Sequence, residues 1–471
     1  MDINPEIFRG YDIRGVVDKD LSPEIMYHLG QAYATFLYRR QIREAVVGMD
    51  SRETSPAYKD SFIKALTDSG ISVIDIGLTL SQIMYFAQYH YLSKGGAIIT
   101  ASHNPREYNG LKLAVGFSDT LVTPEIQEVK QIAQSQKFQK YPQKGQVKHD
   151  NVFSAYKADL LKRIALTNLP FKIVIDGMNA TPGAFVPEIL RATGAQVIDQ
   201  NTKPDPTFPL GTPDPTERKH LQRLANRVRQ EQADIGFTYD NDGDRIGIVD
   251  QDGRMIWNDV LVALFAKDIL EFLPGSPIVF NTLCSKVVVD TIKTAGGQPV
   301  IWITGHSFIK AKIKETRAPF GGELSGHFFF MDNFYGHDDG AFASLRLLSY
   351  LHRTGKSLKQ AVAALPQYVS SPEIKLGLAD ATKFQVIKSK ITPDLKQLYP
   401  DAEYLDIDGI RMDTPETMVV IRASQNGPYI TVKFEGKTQD QYDTLKHQIG
   451  DILKSHSEVD WTYGVNTDAL S

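Results

Sequence analysis

The hydrophobic residues of this 471-residue chain form short apolar runs that alternate with amphipathic stretches. The runs Ala45–Met49, Phe171–Ile175 and Ile235–Thr238 are short and largely apolar, which predicts buried strands. The stretch Pro56–Ser69 has helical periodicity and begins with a proline directly after Ser55, the predicted N-cap. Strands and helices in alternation are typical of α/β domains.

The pattern changes near Ser370, where the predicted strands and helices become grouped, as in an α+β domain. Three α/β units followed by one α+β unit fit the chain length, because single domains usually have about 100 to 200 residues. The other predicted elements are the helix Thr181–Thr193, the loop Lys203–Thr216, the strands Glu373–Leu376, Thr417–Arg422 and Tyr429–Phe434, and the helices Ala381–Ile391 and Asp440–Ser455.

Composition and charge narrow the classes of function. The net charge of −4 argues against an overall nucleic-acid-binding surface. Cys284 is the only cysteine, so no intrachain disulfide can form. The first residues lack the basic and apolar regions of a signal peptide, and no apolar run is long enough to span a bilayer. We therefore expect a cytoplasmic protein that binds neither nucleic acid nor a membrane.

Three carboxylates at alternating positions follow a predicted strand in the segment Asp240-Asn241-Asp242-Gly243-Asp244-Arg245. Such clustering is unfavourable unless a cation neutralises it, and hard oxygen ligands suit Mg²⁺ or Ca²⁺. A solvated acidic turn or a calcium loop of the EF-hand kind are the alternatives. The EF-hand requires a longer loop between two helices, whereas this segment follows a strand. Three protein oxygens leave room for a phosphate oxygen, which favours Mg²⁺.

Ser102 lies at the end of another predicted strand, in the segment Thr100-Ala101-Ser102-His103-Asn104-Pro105. A serine in this position could act as a nucleophile, with His103 or Asn104 orienting it. Considered alone, the segment is better explained as an ordinary turn rich in serine, asparagine and proline.

Further polar loops have the composition of phosphate- or sugar-binding segments, although each is also explained by an ordinary capped turn or a solvated charge. They contain Tyr11 and Arg14 near the amino terminus, Lys112 after Asn109-Gly110, Thr304-Gly305-His306, Glu323, Ser325 and His327 in GGELSGH, and Arg422, Ser424, Gln425 and Asn426 in RASQNG.

Taken in order along the chain, these segments resemble the α-D-phosphohexomutase superfamily, and most closely its bacterial and archaeal phosphomannomutase/phosphoglucomutase group. The resemblance rests on FRGYDIRG, TASHNP, NGLK, DNDGDR, TGHSFIK, GGELSGH and RASQNG. It implies three related α/β domains with mixed sheets and a carboxyl-terminal α+β domain around a central cleft. The domain ranges that we predict are 1–148, 149–253, 254–368 and 369–471.

The resemblance also implies a reaction and a set of roles. Hexose 1-phosphate and hexose 6-phosphate of mannose, glucose or both would be interconverted through a phosphoserine and a hexose 1,6-bisphosphate, which also serves as primer. The ligands of Mg²⁺ would be Ser102, Asp240, Asp242 and Asp244. The reacting end of the sugar would face Arg14, Lys112, His103, Arg245, His306 and His327, and substrate binding would use Tyr11, Thr304, Gly305, Glu323, Ser325, Arg422, Ser424, Gln425 and Asn426.

The chain departs from the family pattern in two segments. In the phosphate loop, Gln425 and Asn426 replace the last two residues of the family pattern, so its usual threonine is absent. Leu283 stands where the family often has a lysine, and Lys286, three residues further on, is the nearest lysine that could take its place. Two alternatives stay open, a phosphoglucosamine mutase and a catalytically silent sugar-phosphate-binding protein. Leu324 before Ser325 is closer to the hexose-specific pattern. The partners expected are small sugar phosphates, and the protein would be a monomer or a homodimer.

Overall fold

The structure is a computed structural model, and it describes residues 3–424 and 427–470. Gln425 and Asn426, both predicted to bind phosphate, therefore lie outside the described residues. The chain divides into two compact units, one formed by the chain up to Asn258 together with Ser325–Ala361, and the other by Asp259–Leu324 together with the chain from Val362 onward. Across the described ranges, no helix is both long enough and apolar enough to cross a membrane.

The first sheet of the first unit is mixed, with the strand order β1-β5-β4-β2-β3-β7 and β6 paired to β5. The inner strands β4, β2 and β3 run parallel, while β1 and β5 are antiparallel to their neighbours. Buried aliphatic and aromatic side chains pack between this sheet and its helices. The elements are β1 (Ile13–Val16), α1 (Pro23–Arg39), β2 (Glu44–Met49), α2 (Ser55–Asp68), β3 (Ser72–Leu78), α3 (Ser81–Tyr91), β4 (Gly95–Ile99), β5 (Tyr108–Val115), β6 (Asp119–Thr120), α4 (Thr123–Ser135) and β7 (Val147–His149), after a short 3₁₀ helix at Pro5–Ile7.

The second sheet of the first unit is also mixed and has the order β12-β11-β10-β8-β9. β8 runs parallel to β9 and β10, and β11 returns antiparallel to β10. The turn between β10 and β11 therefore carries the acidic segment. The elements are α5 (Phe153–Ile164), β8 (Lys172–Asp176), α6 (Val186–Arg191), β9 (Gln196–Gln200), α7 (Arg218–Glu231), β10 (Ile235–Tyr239), β11 (Ile246–Asp250) and β12 (Met255–Ile256).

The third group of elements is again α/β, and within the second unit β13 pairs in parallel with β14 and with β15. Ser285 caps α9 by accepting a hydrogen bond from the Val287 N–H. The elements are α8 (Asn258–Phe272), β13 (Pro277–Asn281), α9 (Lys286–Thr294), β14 (Gln298–Trp302), α10 (His306–Thr316), β15 (Phe320–Gly322), β16 (Phe328–Phe330), α11 (Gly340–Thr354) and α12 (Leu358–Ala363).

The last group is rich in sheet, and its strands pair antiparallel in the order β19-β20-β21-β22-β18-β23, with β17 paired to β22. Helix α15 packs on β22 through Leu445, Ile449 and Leu453. The elements are β17 (Val369–Ser370), β18 (Ile374–Gly377), α13 (Lys383–Val386), a π-helical turn at Ile387–Ile391, α14 (Thr392–Leu398), β19 (Glu403–Leu405), β20 (Ile410–Asp413), β21 (Thr417–Ala423), β22 (Tyr429–Gly436), α15 (Gln439–Ser455), β23 (Asp460–Val465) and a 3₁₀ helix at Thr467–Leu470.

The predicted strands, and the predicted layout of three α/β groups before a sheet-rich group, are confirmed, but three local predictions are wrong. Thr181–Thr193 is a 3₁₀ turn at Thr181–Ala184 and then α6, because Pro182, Gly183 and Pro187 interrupt a regular helix. Ser55 does not cap α2 but is its first residue, and its hydroxyl donates to Asp50. The helix predicted to end at Ile391 continues through a π-helical turn to Leu398.

Candidate active site

Ser102 lies in the loop after β4 and has a left-handed backbone with φ of +48°. A residue with a side chain is strained in this conformation by roughly 1 to 3 kcal/mol, and such strain is commonly found at functional sites. The buried hydroxyl donates a hydrogen bond of 2.6 Å to Asp240 Oδ2 and lies 3.1 Å from His103 Nδ1. The structure thus brings the predicted serine to the predicted acidic segment, 138 positions further along the chain.

The carboxylates of Asp240, Asp242 and Asp244 are fully buried, and their ligand oxygens lie within 4.8 Å of one another. Gly243 has a positive φ of +77°, so the turn bends tightly enough to direct all three side chains to one point. Burial and the two neighbouring carboxylates raise the pKa of Asp240 well above its ordinary value. A group of this kind needs positive charge nearby, because buried like charges repel.

Lys112 of β5 supplies positive charge to the acidic group. Its ammonium lies 2.7 Å from Asp242 Oδ2 and also donates to Asp244. Burial lowers the pKa of Lys112, but the two carboxylates outweigh burial and raise it well above its ordinary value. The second oxygens, Asp242 Oδ1 and Asp244 Oδ1, are buried and have no hydrogen-bond partner among the described residues. These oxygens fit a divalent cation, which prefers carboxylate oxygen ligands.

Arg14 of β1 contacts the serine loop directly. Its guanidinium pairs with Asp12 at 2.7 Å and donates to Asn104 Oδ1 at 2.7 Å and to the Ala101 carbonyl at 3.3 Å. Arg14 is 8% exposed, and neighbouring Tyr11 is buried. Arg14 therefore holds positive charge next to Ser102 in a fixed position.

Arg52 is a functional candidate that sequence reasoning missed. Its buried guanidinium donates to four carbonyl oxygens of the serine segment, those of Ser102, Asn104, Pro105 and Tyr108, at 2.7 to 3.0 Å. It also pairs with Asp50 at 3.2 Å. Arg52 thereby fixes the backbone on which Ser102 is presented. A lone arginine after a strand gives no local signal of this function, since its partners are about 50 residues away.

Arg245 and His327 contact the acidic segment and each other. Arg245 donates its backbone N–H to Asp240 Oδ1 at 3.1 Å and its Nε–H to His327 Nε2 at 2.8 Å. Because Nε2 accepts a hydrogen bond, the ring proton of His327 must be on Nδ1, which lies 2.9 Å from Asp338 Oδ2 and 3.6 Å from Asp244 Oδ1. The structure therefore assigns one tautomer to His327.

A second group of predicted residues lies in the second unit. Gly305, with φ of +138°, precedes α10, and its N–H donates to Glu323 Oε1 at 2.7 Å. His306 is the first residue of α10, and Gly305 is its N-cap. His306 is buried, whereas Ser325 is half-buried and belongs to the first unit.

Asn281, at the end of β13, connects the loops of this group. Its amide donates to Thr304 Oγ1 at 3.2 Å, and its oxygen accepts from the Leu324 N–H and from Cys284 Sγ. Cys284 is fully buried, and burial raises the pKa of its thiol. Asn281 therefore fixes the positions of two predicted substrate-binding loops relative to each other.

The predicted phosphate-binding loop follows β21, and its first residues are described. Arg422 is buried and donates its Nε–H to Asp408 Oδ2 at 2.8 Å. Ser424 donates its backbone N–H to the Tyr429 carbonyl at 3.0 Å. Lys383, which sequence reasoning missed, donates to the Ser424 carbonyl at 2.5 Å and to the Gly427 carbonyl at 2.8 Å. Lys383 thus connects both ends of the loop.

The departure at Leu283 is not compensated within the predicted site. The ammonium of Lys286 lies 3.7 Å from Asp413 Oδ1, and its backbone N–H donates to Glu435 Oε1 at 2.8 Å. Leu283 is buried. Lys286 therefore takes part in contacts within the second unit that involve neither Thr304 nor Glu323.

Three family models match consecutive parts of the chain. Their descriptions are phosphoglucomutase/phosphomannomutase α/β/α domain I, matched over residues 5–140, domain II, over 153–253, and domain III, over 257–369.

Named relatives match nearly the whole chain. The phosphomannomutase/phosphoglucomutase of Pseudomonas syringae pv. tomato is 34% identical and covers 93% of both chains. The phosphoglucomutase of Neisseria gonorrhoeae is 33% identical over 98% of this chain and 99% of its own. The crystal structure of a phosphoglucomutase/phosphomannomutase family protein from Burkholderia thailandensis superposes with a TM-score of 0.88 at 29% identity, over 96% of this chain and 98% of the other.

Proposed function

Because the chain belongs to the phosphoglucomutase/phosphomannomutase family, we propose that it interconverts hexose 1-phosphates and hexose 6-phosphates of mannose, glucose or both through a phosphorylated Ser102. The enzyme class is that of a phosphohexomutase. The choice of hexose and the phosphoserine route are the proposed parts. We also retain the four predicted domain ranges, 1–148, 149–253, 254–368 and 369–471, as part of the proposal.

The hydrogen bond between Ser102 Oγ and Asp240 Oδ2 carries the proposal. Phosphoryl transfer to a serine requires a hydroxyl in line with the phosphoryl group, a group that takes its proton, and positive charge for the oxygens of the phosphoryl group. Asp240 Oδ2 accepts the hydrogen bond of the Ser102 hydroxyl at 2.6 Å, so it lies at the position from which that proton would be taken. Arg14, Lys112 and Arg245 supply the positive charge.

We propose that Ser102, Asp240, Asp242 and Asp244 hold Mg²⁺. The donor set is made entirely of oxygen, and two of its buried oxygens have no other hydrogen-bond partner among the described residues. When bound, Mg²⁺ would neutralise negative charge on the transferring phosphoryl group. Lys112 already neutralises part of the acidic group.

The remaining predicted residues receive roles from their positions. Arg245 fixes both Asp240 and His327, and His327, whose Nδ1 faces Asp338 Oδ2, would transfer a proton at the reacting end of the sugar. His103 lies close enough to Ser102 Oγ to orient it, and His306 begins a helix whose first amides suit an anionic group. Arg422 and Ser424, with Gln425 and Asn426, would bind the distal phosphate, while Tyr11, Thr304, Gly305, Glu323 and Ser325 would contact the sugar.

The proposed reaction has two halves that balance. The bond between phosphorus and Ser102 Oγ breaks as a bond to the free sugar hydroxyl forms, and that hydroxyl gives up its proton. The resulting hexose 1,6-bisphosphate reorients in the site. The bond from its other phosphoryl group to the sugar oxygen breaks as a bond to Ser102 Oγ forms, and that sugar oxygen takes up a proton. The same bisphosphate serves as primer for unmodified Ser102. Ser102 itself is buried, which would limit the access of water to the phosphoserine.

Replacing Ser102 with alanine tests the proposal. Mutase turnover would be measured on the phosphates of mannose, glucose and glucosamine, with hexose 1,6-bisphosphate as primer, and intact mass would count the phosphates on the chain. Ser102→Ala should lose at least about a thousandfold in turnover and carry no phosphate, because the nucleophile is gone. Ser135→Ala, at an exposed helix end, is the matched control.

The panel also decides between the alternatives. Near-normal turnover of Ser102→Ala would refute the phosphoserine route. If the wild-type protein prefers glucosamine phosphate, it is a phosphoglucosamine mutase. If it turns over none of the three sugar phosphates, it is a catalytically silent binding protein. Sugar-phosphate partners, a cytoplasmic location and a monomeric or homodimeric state stay predictions.

A further inference from the structure

Asp408, in the turn between β19 and β20, is a buried carboxylate with no role in the proposed chemistry. One of its oxygens, Oδ2, accepts three hydrogen bonds. The donors are Arg422 Nε at 2.8 Å, the Thr304 N–H at 2.9 Å and Thr282 Oγ1 at 3.1 Å. Asp408 is 7% exposed and Arg422 is 5% exposed, so solvent screens their ion pair very little.

The backbone beside Asp408 packs directly against the arginine that it contacts. Gly409 has φ of +78°, and a Cβ at this position would lie 2.6 Å from Arg422 Cα and 2.3 Å from the Ile421 carbonyl oxygen. Any side chain here would collide with the backbone of β21. The turn is therefore packed closely against Arg422, and this packing keeps the Asp408 carboxylate next to the Arg422 side chain.

We propose that Asp408 is a positioning residue for the substrate phosphate. Asp408 fixes the orientation of Arg422 and connects Arg422 to the loop that begins at Thr304. This rests on the proposed function, in which Arg422 binds the distal phosphate. A guanidinium is planar, and a hydrogen bond at Nε fixes that plane and leaves the edge formed by the two Nη groups for bidentate contact with phosphate. Asp408 thus orders the arginine before the substrate arrives.

The contact with Thr304 extends the effect to the sugar loop. Thr304 directly precedes Gly305, whose N–H is bonded to Glu323. The oxygen that orients Arg422 therefore also fixes the start of the loop proposed to contact the sugar. Asp408 sets the relative position of two substrate-binding groups, so its loss should weaken binding of the whole substrate more than it slows the chemical step.

A double-mutant cycle tests the proposal on the full-length enzyme. The variants are Asp408→Asn, Arg422→Ala and the combination, with Asp406→Asn, an exposed position in the same turn, as the control. For each, KM and kcat for the preferred hexose phosphate would be measured together with thermal unfolding. We expect Asp408→Asn to raise KM by roughly tenfold to a hundredfold with little change in kcat, the effect of losing a charge-assisted hydrogen bond. In the Arg422→Ala background, the same substitution should change KM by less than about twofold, because the orienting effect has no target.

The outcomes separate this inference from the function on which it rests. If Arg422→Ala leaves KM unchanged, Arg422 does not bind the phosphate and the proposed function of that loop fails. If Arg422→Ala raises KM but Asp408→Asn acts equally in both backgrounds, only the positioning inference is overturned. Should Asp408→Asn not fold, Asp408→Glu keeps the charge but displaces it. An unchanged KM in folded Asp408→Glu would equally overturn the inference.

Discussion

Replacing Lys112 with methionine should make the protein depend on a divalent cation for stability. In the described structure the Lys112 ammonium is the positive charge in direct contact with Asp242 and Asp244. Methionine preserves most of the side-chain volume and removes only the charge. The three buried carboxylates would then repel one another without this compensation.

The size of the effect follows from the contact distance. An ammonium 2.7 Å from Asp242 Oδ2 is worth about 6 kcal/mol at an effective dielectric constant of about 20. Desolvation of the buried ammonium offsets part of this, and removing one partner of a buried ion pair costs about 3 to 5 kcal/mol in practice. The entropy of unfolding is about 2.1 cal/mol/K per residue, or about 1 kcal/mol/K for a chain of 471 residues, so the melting temperature without metal should fall by about 3 to 5 °C.

Scanning calorimetry in EDTA and then in Mg²⁺ measures both parts of the prediction. In EDTA the variant should melt below wild type, and saturating Mg²⁺ should raise its melting temperature more than that of wild type, because the ion supplies the missing charge. Lys137→Met is the matched control, since Lys137 is exposed. The reasoning is refuted if Lys112→Met and the control melt alike in EDTA and respond equally to Mg²⁺.

Two further predictions concern other buried groups. Arg52→Lys keeps the charge but cannot hold four carbonyls in one plane, so kcat at saturating substrate should fall by roughly tenfold to a hundredfold, and a wild-type kcat would contradict this. Burial raises the pKa of Asp339, the N-cap of α11, to about 7. Between about pH 4 and pH 7 the native protein therefore binds more protons than the unfolded chain, and its stability falls as the pH rises through that range. Asp339→Asn can still cap the helix and should remove up to about 3 kcal/mol of the decline between pH 5 and pH 8, measured by urea unfolding, whereas an unchanged pH slope would show that Asp339 does not titrate there.

The sequence predicted the order of the domains and the segments of the candidate site because both leave local signals. The acidic segment and the serine segment each follow a short apolar strand, and the structure places them in hydrogen-bond contact. The helix predicted at Thr181–Thr193 is wrong because Pro182 and Gly183 interrupt it near its start. Breakers of this kind outweigh periodicity in short segments.

The residues that sequence reasoning missed are those that support the site rather than form it. Arg52, Lys383 and Asp408 are single charges in loops or at a helix start, and such residues are usually solvated. Apart from the nearby Asp50 and Asp380, the partners cited here are backbone groups and side chains 14 to 126 positions away, which no local pattern reveals. Only the tertiary structure shows that each of these charges is buried.

The buried position of Cys284 has a practical consequence for spectroscopy. Thiol reagents react with the thiolate, and Cys284 is the only cysteine of the chain, fully buried and with a raised pKa. The wild-type protein should therefore stay unlabelled by maleimide dyes while folded. Pairs of cysteines introduced at exposed positions would be the only reactive thiols, so distances between the two units could be followed by energy transfer during turnover without first removing the native cysteine.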